Sequence, residues 1–253
     1  MGDTRTIQSL DRAINILELF RVNLKELSVT EISNELQINK STVFGLINTL
    51  ANRGYLHQNP NNQKYSLGLS LLELGELVQK SNIIADQARP FLQKLVDKYN
   101  ETIHLAIEEK GEVIYIDKLE GQKTIYISSR IGSQNPMHCT GVGKCLLAFV
   151  SAKRREKLLE GFSELRKYTE NTITDKNDLI KELDGIVQKG YSIDNEEFAV
   201  GLYCYSVPIL NKFNEAVASV SISGPTSSIK NLSRSEIIKY MKEIANEISN
   251  RLN

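Results

Sequence analysis

Lys40-Ser41-Thr42 opens a helical stretch with a cation and two short hydroxyls, set beside the free backbone amides of a helix start. That combination is suited to gripping a phosphate. Val43, Leu46, Ile47 and Leu50 share one stripe of the same stretch, leaving Lys40, Ser41, Thr42, Phe44, Gly45, Asn48, Thr49 and Asn52 outside. The outer face is mostly polar, short-chained and free of acid, as a helix in a major groove requires. Residues 36–72 contain no Asp or Glu, whereas Lys40, Arg53 and Lys64 fall within them. Carboxylates on a surface that meets phosphates would repel them and oppose counterion release. A second set of residues points to a different chemistry. Alternation over 216–223 puts Ala216, Ala218, Val220 and Ile222 on one face and Ser219, Ser221 and Ser223 on the other; Cys204 and Ser206 share a face of the strand over 202–210. Small hydroxyls and a thiol leave room above a sheet and supply donors, which suits a cavity for a small polar molecule. The loop Thr140-Gly141-Val142-Gly143-Lys144 adds amides able to bind a carboxylate. It lacks the glycine spacing and the Lys-Ser/Thr ending of a phosphate loop. Asp194, at a strand end, could accept a ligand hydroxyl or cap the turn that follows it.

The elements that must position these groups follow from periodicity. A helix over 6–21 carries Ile7, Leu10, Ile14, Leu17 and Leu19-Phe20 at helical spacing. Ser28 or Thr30 can cap the next helix, with Glu31 near the positive end of its dipole. Ile32 and Leu36 share a face of that helix, and Ile38 plugs the turn leading to the Lys40 helix. Gly54 ends that helix; residues 55–58 and 64–67 can pair around the turn-rich tip Asn59-Pro60-Asn61-Asn62-Gln63. Helix, turn, helix and a two-stranded wing make a winged helix-turn-helix.

Residues 68–80 read as a helix whose leucines exceed one face, which predicts packing against another subunit. Beyond residue 82 the spacing predicts a helix over 82–99 that Pro90 begins or kinks, then a hairpin of 102–109 and 112–119 about Lys110-Gly111. A strand over 123–128, a loop over 132–136 and a helix over 145–150 follow. Helices over 151–160 and 175–189, with Thr174 as cap, precede strands over 191–196, 202–210 and 216–223. Ser233 and Glu236 form a capping box before a last helix carrying Ile237, Met241, Ile244 and Ile248. The class is α+β: antiparallel strands with helices at both ends, as in a sensor domain.

At 253 residues the chain is long enough for one or two domains, and 41% hydrophobic with 25% charged residues suits a soluble globular protein. Its formal net charge is zero, so nucleic-acid contact must come from local arrangement. No apolar run approaches the ~20 residues of a membrane span, and the N-terminus lacks a secretory apolar region. The expected location is the cytoplasm, with no membrane partner and no cofactor. Three cysteines without C-x-x-C spacing argue against a disulfide framework.

The motifs also stand in a specific order. The winged helix-turn-helix resembles that of the isocitrate lyase regulator (IclR) family of transcription factors. Gly132…Pro136-Met137-His138-Cys139-Thr140-Gly141-Val142-Gly143-Lys144-Cys145-Leu146-Leu147-Ala148 looks like the family's effector-loop motif. Asp194-Asn195-Glu196-Glu197…Gly201-Leu202-Tyr203-Cys204, followed by Val207-Pro208-Ile209, is similar to a second signature, and Ser219-Val220-Ser221-Ile222-Ser223-Gly224-Pro225 to a third. The resemblance runs from about residue 5 to 250. It implies a DNA-binding domain (1–67), a linker helix (68–81) and a GAF-like effector domain (82–253) with an antiparallel sheet flanked by helices. It further implies a homodimer or pair of dimers on double-stranded operator DNA, acting as a repressor, with a small organic acid or similar anionic metabolite as effector. DNA would meet Lys40, Ser41, Thr42, Phe44, Gly45, Asn48, Thr49, Arg53 and Lys64. The effector would meet the amides of Gly141 and Val142, with Asp194, Cys204, Ser221 and Ser223 around it and Thr124 and Ile127 as pocket walls.

Three other readings compete. Cys204 and His138 could pair as nucleophile and base of an enzyme, although nothing in the sequence orients a third partner. His104, His138, Cys139 and Cys204 could converge as a metal or redox sensor. The winged helix could serve a protein partner instead of DNA; steeply salt-dependent DNA binding would exclude that.

Overall fold

The computed structural model describes residues 6–22, 25–122 and 129–252. The strand expected over 123–128 and the pocket-wall residues Thr124 and Ile127 lie outside the described residues. The chain divides into two compact units, Met1–Ser81 and Asn82–Asn253.

In the first unit, α1 (Gln8–Val22), α2 (Val29–Leu36) and α3 (Lys40–Asn52) enclose Ile16, Phe20, Ile32, Val43 and Ile47, with Leu56 and Tyr65 from the wing. Burying each such side chain is worth about 1.5–3 kcal/mol, which fixes a small domain around seven residues. Ser28 rather than Thr30 caps α2. Its hydroxyl accepts from the Glu31 N–H while the Glu31 carboxylate accepts from the Ser28 N–H, a reciprocal capping box. The wing pairs β1 (Leu56–Gln58) with β2 (Tyr65–Leu67), His57 opposite Ser66. An isolated bridge from Leu27 to Tyr65 ties it to the start of α2, and Glu26 accepts from the Asn59 and Asn62 amides at 2.8 and 2.7 Å. Helix α4 (Leu69–Lys80) follows. It buries no residue: Leu69, Leu72, Leu77 and Val78 are all more than half exposed.

The second unit has three layers. Its six-stranded antiparallel sheet has the order β5-β4-β3-β8-β7-β6, from β3 (Thr102–Glu109), β4 (Glu112–Leu119), β5 (Gln134–Pro136), β6 (Ser192–Asn195), β7 (Leu202–Leu210) and β8 (Ala216–Pro225). On one face α5 (Ile83–Tyr99) and α10 (Arg234–Leu252) cover Ile103, Leu105, Val220 and Ile222; Ile237, Met241, Ile244 and Ile248 of α10 are all buried there. On the other lie α6 (Gly141–Phe149), α7 (Ala152–Gly161) and α8 (Lys176–Lys189); the short α9 (Thr226–Ile229) follows β8 and buries Ile229 in the core shared with α5 and α10.

Several expectations need correction. The stretch 134–136 is an edge strand on β4, not loop; three residues ending in proline suffice at a sheet edge, where a missing N–H is tolerated. Helix α6 starts at Gly141 rather than Cys145, and Asp175, not Thr174, caps α8 by accepting from the Asn177 and Asp178 amides. Helix α5 runs through Pro90, which neither begins nor ends it. A register shift opposite Ile209/Leu210 leaves Val217 unpaired, so Ala216 packs on the α6 side while Val217 joins Ala218 and Val220 on the other.

Candidate functional site

The outer face of α3 is bare. Lys40, Ser41, Thr42, Gly45, Thr49 and Arg53 are exposed, Asn48 is half-buried, and Phe44 stands 52% exposed despite its size. Asn39, at the N-cap position, makes no side-chain cap, so the first-turn amides of α3 face outward without a side-chain partner. A Cβ added to Gly45 would meet nothing within 4 Å. Thr49 is turned back, its hydroxyl donating to the Gly45 carbonyl at 2.9 Å. Lys64 is half-buried and its Nζ bonds Glu31 at 3.1 Å. Its charge is thereby matched within the protein, and the Glu31 carboxyl is held down to about 2 by Ser28 and Lys64 together. Of the three cations in the acid-free stretch, Lys40 and Arg53 are the exposed ones.

In the second unit the sheet register assembles two polar rows. One runs Asp194–Cys204–Ser223 across β6, β7 and β8; the next runs Ser192–Ser206–Ser221–His104 and reaches β3. Helix α6 lies over these rows. Thr140 caps it by accepting from the Gly143 N–H, and the Ser192 hydroxyl donates to the Gly141 carbonyl at 2.6 Å. The approach to the sheet is close because Gly141 permits it, while Gly143 lets the preceding segment fold back against the helix. A Cβ at Gly141 would sit 2.5 Å from Ser206 Oγ, and one at Gly143 2.5 Å from the Met137 backbone. The amides of Gly141 and Val142, in the first turn, have no hydrogen-bond partner among the described residues.

A cavity of 390 Å³ opens between the α6 start and the sheet. All six described residues expected around a ligand line it: Gly141, Val142, Asp194, Cys204, Ser221 and Ser223. Its polar floor meets an apolar rim from Phe198, Ala199, Val200 and Leu202. Sequence reasoning missed the rim, as well as Tyr115 and the role of His104. His104 Nδ1 lies 3.3 Å from both Ser221 and Ser223 Oγ, its Nε2 lies 2.6 Å from Ser129 Oγ, and its ring packs on Tyr115 at 4.6 Å. Burial, helped by the charge of Lys118, pushes its pKa down to about 3, so the ring is neutral and carries one N–H. Asp194 both lines the cavity and caps its turn, Oδ1 accepting from the Glu197 and Phe198 amides. Burial pushes its carboxyl up to about 7 against those amides. Lys144, fully buried on α6, bonds Glu197 rather than facing the cavity.

The rival chemistries lose their geometry here. His138 Nε2 donates to the Arg166 carbonyl at 3.0 Å, and burial pushes the Cys204 thiol well above its usual range, away from the thiolate a nucleophile needs. Among the described residues no group of three or more His, Cys, Asp or Glu side chains could hold a metal.

Residues 9–60 match the IclR helix-turn-helix domain, and residues 76–250 match the family model described as bacterial transcriptional regulator IclR C-terminal. The chain belongs to the IclR family. Within that family it is 37% identical over 223 residues to the HTH-type transcriptional regulator XynR of Escherichia coli (strain K12), 88% of each chain being covered. It is 33% identical over 244 residues to KdgR of the same strain, covering 94% of this chain and 92% of KdgR. The crystal structure of IclR from Thermotoga maritima overlies 98% of this chain and 99% of its own at a TM-score of 0.76, with 34% identity. As an IclR-family member the chain is a ligand-responsive DNA-binding transcriptional regulator with a small-metabolite effector domain; its relatives are regulators, not enzymes. No helix among the described residues is long and apolar enough to cross a membrane.

Proposed function

We propose that the exposed face of α3 reads operator DNA in the major groove, and that the cavity beneath α6 takes an anionic small-molecule effector. Residues 1–67 would form the DNA-binding domain, 68–81 the link and 82–253 the effector domain, in a cytoplasmic protein acting as a repressor. The observation that supports the effector site most is the pair of unbonded amides at Gly141 and Val142, held over a floor of hydroxyls and a neutral histidine. Helix-start amides carry partial positive charge and suit a carboxylate. For the DNA face, the support is an uncapped helix start beside Lys40 and Ser41, with every residue of its outer side open or half-open. The bare leucines of α4, with the exposed Ile7 just before α1 and Leu10 and Ile14 within it, support self-association as a homodimer or dimer of dimers. A dimer would set two recognition helices in successive major grooves, and an effector would act by binding one arrangement of the subunits better than another.

Two substitutions test this as a pair. Ser41→Glu places a carboxylate at the start of α3. Operator affinity in a mobility-shift assay is expected to fall roughly a hundredfold, because like charges juxtaposed across an interface cost several kcal/mol. Ser221→Leu fills the cavity floor; operator binding is expected to persist while release by effector is lost. Unchanged operator affinity in the first, or a normal response in the second, would remove the corresponding half of the proposal.

A further inference from the structure

The cavity floor holds a carboxyl group to which, among the described residues, no cation is hydrogen-bonded. Asp194 Oδ1 is occupied by the Glu197 and Phe198 amides at 2.8 and 3.4 Å, while Oδ2 has no hydrogen-bond partner among the described residues. No Lys or Arg is found among the described residues that line the cavity. Lys144 is committed to Glu197 and faces Glu182 at 3.6 Å. The remaining titratable groups around Asp194 are the Cys204 thiol on β7, the Cys139 thiol before α6, the Tyr115 phenol on β4 and, across the floor, His104 on β3. Burial holds all four neutral, raising the thiols and the phenol and lowering the imidazole. A ligand carboxylate entering this space would set a second anion beside the first. Two like charges in contact repel strongly at the effective dielectric of a protein surface, and more where water is excluded.

We infer that the effector's carboxylate and Asp194 hold a single proton between them, so that a carboxylate enters the site together with a proton. This rests on the reading of the cavity as an anionic effector site. The proton comes from solvent: two carboxylates and one proton become one carboxylate and one carboxylic acid. Asp194 Oδ2–H then donates to the ligand, whose other oxygen accepts from the Gly141 and Val142 amides. Burial has already lifted the Asp194 carboxyl to about 7, so the proton is available near neutrality. Below that pH the acid is already protonated and affinity is flat; above it each bound ligand must take up a proton, and affinity falls with rising pH.

The test uses the full chain with formate, acetate, pyruvate and benzoate as probes. Binding is detected by thermal shift, and the tightest acid is then titrated calorimetrically. From about pH 5.5 to about pH 7 affinity is expected to be level, then to drop about tenfold per pH unit up to about pH 8.5. Asp194→Asn keeps the oxygen that takes the two amides but cannot ionise, so its affinity is expected to stay level throughout. A level profile in the unaltered protein overturns the inference while leaving the cavity an effector site. No shift with any of the four acids overturns the anionic-site reading and the inference with it. Carbon-13 NMR of the unaltered protein gives a check independent of the variant's folding: an Asp194 carboxyl that titrates below about pH 5, near the ordinary aspartate range, overturns the inference.

Discussion

Helix α3 opens Lys40-Ser41-Thr42 with Gly45 further along its first turns; helix α6 opens Gly141-Val142-Gly143 with Lys144 directly behind. The ingredients are alike, a lysine, glycine and small residues at a helix start with open amides. On α3 the lysine is exposed, the glycine has empty space beside it, and no side chain caps the end. On α6 every residue from Gly141 to Ala148 is buried, both glycines are in near-contact with other elements, and Thr140 caps the end. Residue type alone therefore does not separate a solvated helix face from the buried wall of a cavity. What separates them is the neighbouring sequence: an amphipathic stripe leaves α3 half-solvated, whereas Cys145-Leu146-Leu147-Ala148 gives α6 no polar side to expose.

The two lysines offer the sharpest test of that contrast. Lys144→Met leaves Glu197 buried without its cation and is expected to cost about 3–5 kcal/mol in urea unfolding. Adding Glu197→Gln should restore most of the loss. Lys40→Met is expected to stay within about 0.5 kcal/mol in stability while reducing the salt slope of operator binding by about 1. A small effect at Lys144, or a large stability effect at Lys40, would erase the distinction. The glycines come next. Gly141→Ala drives a methyl into Ser206 and toward Cys204 and is expected to cost about 1–3 kcal/mol. The smallest effect runs the other way. Gly45→Ala is expected to add about 1 kcal/mol of stability, since the added methyl meets only solvent and alanine is the better helix former. A destabilised Gly45→Ala protein would show that the outer side of α3 is covered.

The contrast also explains what was legible in the sequence. In the first unit, helix period, a capping hydroxyl at Ser28 or Thr30 and the hairpin turn are local signals, and they agree with one another from Ser28 to Leu67. The hairpin 102–109/112–119 was equally plain because its turn is two residues long. The central pairing of β3 with β8 was not legible, because it joins residues more than a hundred positions apart. Helix α6 was expected four residues late, since glycines at 141 and 143 read as loop unless one knows that a sheet lies against them. The serine rows were found by alternation. His104 was not placed with them because β3 is buried on both faces and its alternation carries no sign of which side holds the cavity. Ala216 was put on the wrong face because one unpaired residue, Val217, cannot be seen in a period-two pattern.

Gly141 brings the start of α6 so near β7, and Gly143 so near the Met137 backbone, that this side of the chamber has no slack. Its back plate is fixed at backbone distance, and a larger residue there meets the frame before it meets a guest. A change in the size of molecule accepted must accordingly be cut into the opposite margin, from Phe198 to Leu202, where Val200 is 83% exposed and free to be exchanged. Retuning the sensor to a bulkier metabolite is thus a matter of recutting the doorway while the vault stays as it is.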